Sequence, residues 1–95
     1  MQDLNDMLYF AEVVDQGGFA AAGRTLGVPK SKLSRRVADL EARLGVRLLQ
    51  RTTRKLSLTQ AGETYHRHCV AMREQAEAAD EAVALVQTEP QAPCA

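Results

Sequence analysis

Ninety-five residues are enough for one small domain with a modest core, to which a partner chain could add buried surface. No segment reaches the roughly 18 apolar residues of a membrane helix, the start MQDLNDMLYF is acidic where a secretory leader is basic, and Cys69 and Cys94 make no disulfide framework, so a cytoplasmic, reducing compartment and no membrane partner are expected. The formal charge is zero, yet Arg24 to Lys55 holds ten basic residues against Asp39 and Glu41, a net +8, and the rest of the chain carries −8, an asymmetry that suits one surface to a polyanion.

The spacing of Leu4, Met7, Leu8, Ala11 and Val14, with Phe10 widening the stripe, predicts a first helix from Asp3 to Gln16. Asp3 is a plausible N-cap, and Gly17-Gly18 ends the helix. A short second helix, Phe19 to Leu26, is rich in small residues that let another backbone come close. Gly27-Val28-Pro29 is a tight connector to a third helix, about Lys30 to Leu44. There Leu33, Val37, Leu40 and Leu44 share one face, while Ser31, Arg35, Ala38 and Ala42 lie opposite, flanked by Lys32, Ser34 and Asp39. Pro29 offers no side-chain cap, which leaves Ser31 as an alternative cap, and Gly45 closes the other end.

Residues 48–51 and 56–58 read as two short strands around the polar, basic tip Thr52-Thr53-Arg54-Lys55. A long last helix begins at Thr59 or Gln60 and runs to about Gln87. Along it Tyr65, Cys69, Met72, Ala76, Ala79, Val83 and Val86 recur at alternating steps of four and three, the spacing of a helix–helix seam. Pro90 and Pro93 stop it. The expected fold is mainly α: three helices and a two-stranded wing over residues 1–58, a linker and dimerisation helix over 59–88, and a flexible tail over 89–95.

Two helices joined by Gly-Val-Pro make a helix-turn-helix. Ser34-Arg35, Leu40-Glu41, Leu44-Gly45-Val46, Arg51-Thr52 and Leu58-Thr59-Gln60-Ala61-Gly62 make the match specific: residues 3 to 90 resemble the N-terminal domain of the LysR-type transcriptional regulators. The resemblance implies a winged helix-turn-helix, a recognition helix in the major groove and a linker helix that pairs two subunits. The sequence departs from the family at Pro29, where a serine is common, and at Lys30-Ser31-Lys32, which replaces an uncharged Gln-Pro-Ala run. The family's effector domain is not in this chain, which stops just past Glu89-Pro90, so a dissected DNA-binding fragment is expected rather than a natural stub.

The recognition helix places Lys30, Ser31 and Lys32 where they can reach base edges or phosphates, and Ser34 and Arg35 where they can anchor phosphates, Arg35 also being able to contact a base bidentately; Arg36 is a further candidate DNA contact. On the wing, Arg51, Thr53, Arg54 and Lys55 are candidate contacts; Arg54 suits a narrow minor groove, and Arg51 could instead pair within the chain. The expected partners are double-stranded DNA, read as an imperfect palindrome, and a second copy of the chain. No cofactor is expected. His66, His68 and Cys69 raise a metal- or thiol-responsive sensor as an alternative, but His66 and His68 point about 200° apart on a helix, and no metal site is expected. A winged helix turned protein-interaction module is the other alternative. The sequence holds no nucleophile–base pair, carboxylate dyad or phosphate-cradling glycine loop, so no enzyme is expected.

Overall fold

The computed structural model describes residues 3–51 and 55–88, with Arg51 and Thr88 by backbone alone. The elements follow as α1 (Leu4–Gln16), α2 (Phe19–Leu26), α3 (Lys30–Leu44), β1 (Leu49–Arg51), β2 (Leu56–Leu58) and α4 (Gln60–Thr88). The Asp3 carboxylate accepts from the Asn5 N–H at 2.9 Å and so caps α1. Gly17, Gly27 and Gly45 end the first three helices in the left-handed conformation. At Gly27 that conformation makes the turn itself, because it lets the Val28 N–H reach back to the Gly23 carbonyl at 3.0 Å. Gly23 in turn must lack a side chain: a Cβ there would sit 2.7 Å from the Val28 carbonyl oxygen. This close approach is what the small residues of α2 allow.

α1 is the hub, packed against α2, α3, α4 and β2. Its inner face is centred on Phe10 and Val13, with Ala11 and Asp6 also buried, and Leu4 is 49% exposed. A single stripe through Leu4, Met7 and Leu8 therefore misplaces the centre of the buried face, because α1 is contacted from several sides at once. Leu33, Val37 and Leu40 of α3 and Ala22 of α2 complete the floor of the core, and Leu48 and Leu49 bring in β1. Burying a side chain the size of Phe10 contributes about 2–3 kcal/mol. β1 and β2 pair antiparallel, Leu49 opposite Leu58 and Arg51 opposite Leu56.

The core continues into α4. Cys69 is fully buried and Tyr65 packs against the same cluster, its ring 5.8 Å from Phe10 between centroids. The compact part thus includes the first half of α4 rather than ending near residue 58. From residue 74 to residue 87 every residue is exposed, and the molecule measures 63 × 25 × 21 Å. Thr59 sets the start of α4: its hydroxyl accepts from the Gly62 N–H at 2.9 Å and donates to the Arg47 carbonyl at 2.6 Å. The tail 89–95, with Pro90, Pro93 and Cys94, lies outside the described residues.

Candidate nucleic-acid interface

Residues with two different jobs alternate along α3. Its apolar side is fully buried against α1 and α2, which turns the opposite side outward. Lys30, Ser31, Lys32, Arg35, Ala38 and Ala42 are all exposed there, and Ser34 is half-buried. Lys30, Lys32 and Arg35 have no ion-pair partner among the described residues. The helix begins at Lys30 with Pro29 as the flanking residue, so Ser31 lies inside the first turn and is not the cap. The Pro29 carbonyl takes the N–H groups of Lys32 and Leu33, and no side chain caps the end. The first two N–H groups of α3 thus stand beside Lys30 and Lys32 at the positive end of the helix dipole, a combination suited to a phosphate oxygen.

Arg36, expected on this face, is turned away from it. It leans to the opposite flank, where its Nε donates to Asp6 at 2.7 Å and its Nη2 donates to Asp3. Its guanidinium also stands 5.8 Å from the centre of the Tyr9 ring. The two carboxylates raise the Arg36 pKa, and the Asn5 N–H, helped by Arg36, lowers that of Asp3. Arg36 therefore joins α3 to α1. A basic run conceals this role; the signal that could have revealed it is the Asp3/Asp6 pair, three residues apart on α1 and within reach of one cation.

Glu41 is a second positioning residue that sequence reading treated only as part of a motif. One of its oxygens accepts from the N–H of Leu48 at 2.8 Å and of Leu49 at 3.0 Å. That hooks the entry of β1 to the end of α3 and holds β1 beside that helix. Lys55 at the start of β2 is exposed. Thr53 and Arg54, and the side chain of Arg51, lie outside the described residues.

The expected seam on α4 divides. Cys69 is fully buried in the chain's own core and Tyr65 packs half-buried against it, and burial raises the Cys69 thiol to about 11. Met72 is half-buried, while Ala76, Ala79, Val83 and Val86 are exposed, the two valines at 59% and 68%. His66 turns to Asp15 on α1 at 3.1 Å, His68 is exposed, and Cys69 points inward, so the three do not converge. Glu74, Glu77, Asp80 and Glu81 make the outer half of α4 acidic, opposite in sign to α3. No helix among the described residues is long and apolar enough to cross a membrane.

Residues 4–63 match the family of bacterial regulatory helix-turn-helix proteins called lysR. A transcriptional regulator of helix-turn-helix type from Xanthomonas campestris is 52% identical over 88 residues, 93% of this chain and 26% of that protein. The transcriptional activator AaeR of Escherichia coli is 44% identical over 72 residues, 76% of this chain and 23% of AaeR. The chain thus spans about a quarter of the length of these relatives. Among solved structures, full-length CbnR in complex with its target DNA superposes with a TM-score of 0.76 at 31% identity, over 88% of this chain and 29% of CbnR. The DNA-binding domain of BenM on a catB site has a TM-score of 0.83 at 24% identity, covering 92% and 97% of the two chains, a likeness of fold.

Proposed function

The chain belongs to the lysR family of bacterial regulatory helix-turn-helix proteins, and on that premise we propose that it is the operator-reading part of a dimeric transcriptional regulator. The observation that carries the proposal is the outer face of α3, where exposed Lys30, Ser31, Lys32 and Arg35 surround an uncapped helix N-terminus. A helix with a slim outer face, Ala38 and Ala42, can enter the major groove while Arg35 pairs with a guanine edge and the lysines hold phosphates. Lys55, Arg51, Thr53 and Arg54 of the wing extend the contact to the flanking backbone or minor groove. The target DNA bound to CbnR supports this reading by analogy.

The second partner is another copy of the chain. Ala76, Ala79, Val83 and Val86 form the pairing face, and an antiparallel two-fold pair of α4 helices would put the alanines near the axis. Two recognition helices would then meet one face of the duplex, and the site would be an imperfect palindrome. The chain works in the cytoplasm. Selection of bound sequences from a random duplex pool tests the proposal. The expected product is a pair of inverted half-sites at fixed spacing, bound with a steep salt dependence; a pool that enriches for nothing would refute it.

A further inference from the structure

Two α4 side chains seven residues apart meet one carboxylate on α1. His66 Nε2 lies 3.1 Å from Asp15 Oδ1, and Arg73 Nη2 donates to Asp15 Oδ2 at 2.8 Å, with Arg73 Nη1 3.9 Å from Glu12 Oε1. A step of seven returns to nearly the same helix face about 10 Å farther along. The four side chains are between 18% and 35% exposed, so water screens them only in part. Arg73 makes the outermost ion pair from α4 to α1 among the described residues, and every residue from 74 to 87 is exposed.

We propose that Asp15 and Arg73, with His66 and Glu12 beside them, are positioning residues that fix the angle at which α4 leaves the domain and thereby set the distance between paired recognition helices. The proposal rests on the dimeric reading above. Apolar packing of Ala61, Tyr65 and Cys69, with the Thr59 cap, holds the inner turns of α4. Arg73 acts one turn farther out, where a restraint on angle has leverage. Beyond Arg73 the helix runs about 22 Å, so a swing of about 10° moves its end by about 4 Å, roughly one base-pair step. Ion pairs of this exposure favour one arrangement by about fivefold, enough to choose an angle and too little to hold the fold.

The clamp is tested within one chain. In a Cys94→Ser background, spin labels at Ala42→Cys and Ala84→Cys report the distance from α3 to the outer part of α4, with labelled chains diluted in unlabelled ones. A narrow distribution is expected for the parent, a distribution broadened or shifted by about 4 Å for Arg73→Met, and a return towards the parent for the exchanged pair Asp15→Arg with Arg73→Asp. Unlabelled proteins are then titrated with duplexes whose half-sites stand closer or farther by single base pairs, where Arg73→Met should lose preference among spacings while binding a lone half-site unchanged. Identical distances in the parent and Arg73→Met overturn the clamp. Altered distances with an unaltered spacing preference overturn its role in reading DNA. A parent that binds paired half-sites no better than single ones overturns the dimeric reading instead, and the distances still decide the clamp.

Discussion

Arg35 and Arg36 are adjacent and carry the same charge, yet the fold uses them differently. One helical step of 100° takes the side chain from the outward face to the flank above α1, where Asp3, Asp6 and the Tyr9 ring are waiting. Arg35→Ala should therefore weaken specific DNA binding by roughly 1–3 kcal/mol, read as a loss of about 5- to 150-fold in a titration, and relax the preference at one base position. Its melting temperature should stay within a degree or two of the parent, since exposed side chains away from special features change stability little. Unchanged affinity would remove Arg35 from the interface. Asp3 supplies a pH test. The Asn5 N–H and Arg36 both favour its ionised form, so its carboxyl titrates below the usual 3.8. A depressed carboxylate stabilises the fold at pH values above its unfolded pKa and loses that effect as pH falls through the folded one. Thermal unfolding from pH 6 to about pH 3 should show the parent losing stability, and Asp3→Asn losing less of it, because asparagine still caps the helix but does not titrate. Charge type and helical angle made the outward face of α3 readable from sequence. They did not separate Arg36 from its neighbour, because its partners sit thirty residues away on another helix.

Elements are held in place here by a few backbone-directed contacts. Three of these converge where the wing meets α4: Glu41 receives the N–H groups of Leu48 and Leu49, Thr59 caps α4 and also reaches the Arg47 carbonyl, and Gly62 lets the Leu48 backbone lie against the helix. A Cβ on Gly62 would fall 2.0 Å from the Leu48 carbonyl oxygen, a distance that no side-chain adjustment relieves because both partners are backbone. Gly62→Ala should cost about 2–4 kcal/mol and lower the melting temperature by roughly 10 °C or more in a domain of this size. Circular dichroism during heating measures it, and an unchanged midpoint would mean that β1 can move away from α4 freely. Helix limits were legible because caps and glycines are local: Asp3, Gly17, Gly27, Gly45 and Thr59 each act within a few residues. The inner face of α1 was less legible, since apolar spacing gives the direction of one neighbour and α1 has several. The need for glycine at position 62 was not legible at all, as the atom it avoids is fourteen residues back in the chain.

At the scale of the molecule, one regular stripe on α4 divides into a half packed on the chain's own core and an exposed half, which we propose pairs with a second copy. Tyr65 and Cys69 bury against α1, while Ala76, Ala79, Val83 and Val86 continue the same spacing over the part of the helix that stands clear of the domain. Periodicity revealed the stripe, but it carried no information that its inner half packs on the chain's own core. The exposed portion runs about 15 Å from Ala76 to Val86. Its alanines permit close approach of another helix, and acidic Glu74, Glu77, Asp80 and Glu81 flank it, so a charge added to the stripe meets like charges already present. Ala76→Glu should yield monomers, because a two-fold axis near this position brings the two new carboxylates together in a dehydrated contact. The substituted residue is exposed within a single chain, so the fold and its melting transition as a monomer should survive. Affinity for a paired site should drop toward that of one half-site, since linkage of two readers gains far more than either alone. Sedimentation at several protein concentrations decides the matter: a tight Ala76→Glu dimer would place the subunit contact elsewhere and end the assignment of these four residues to it.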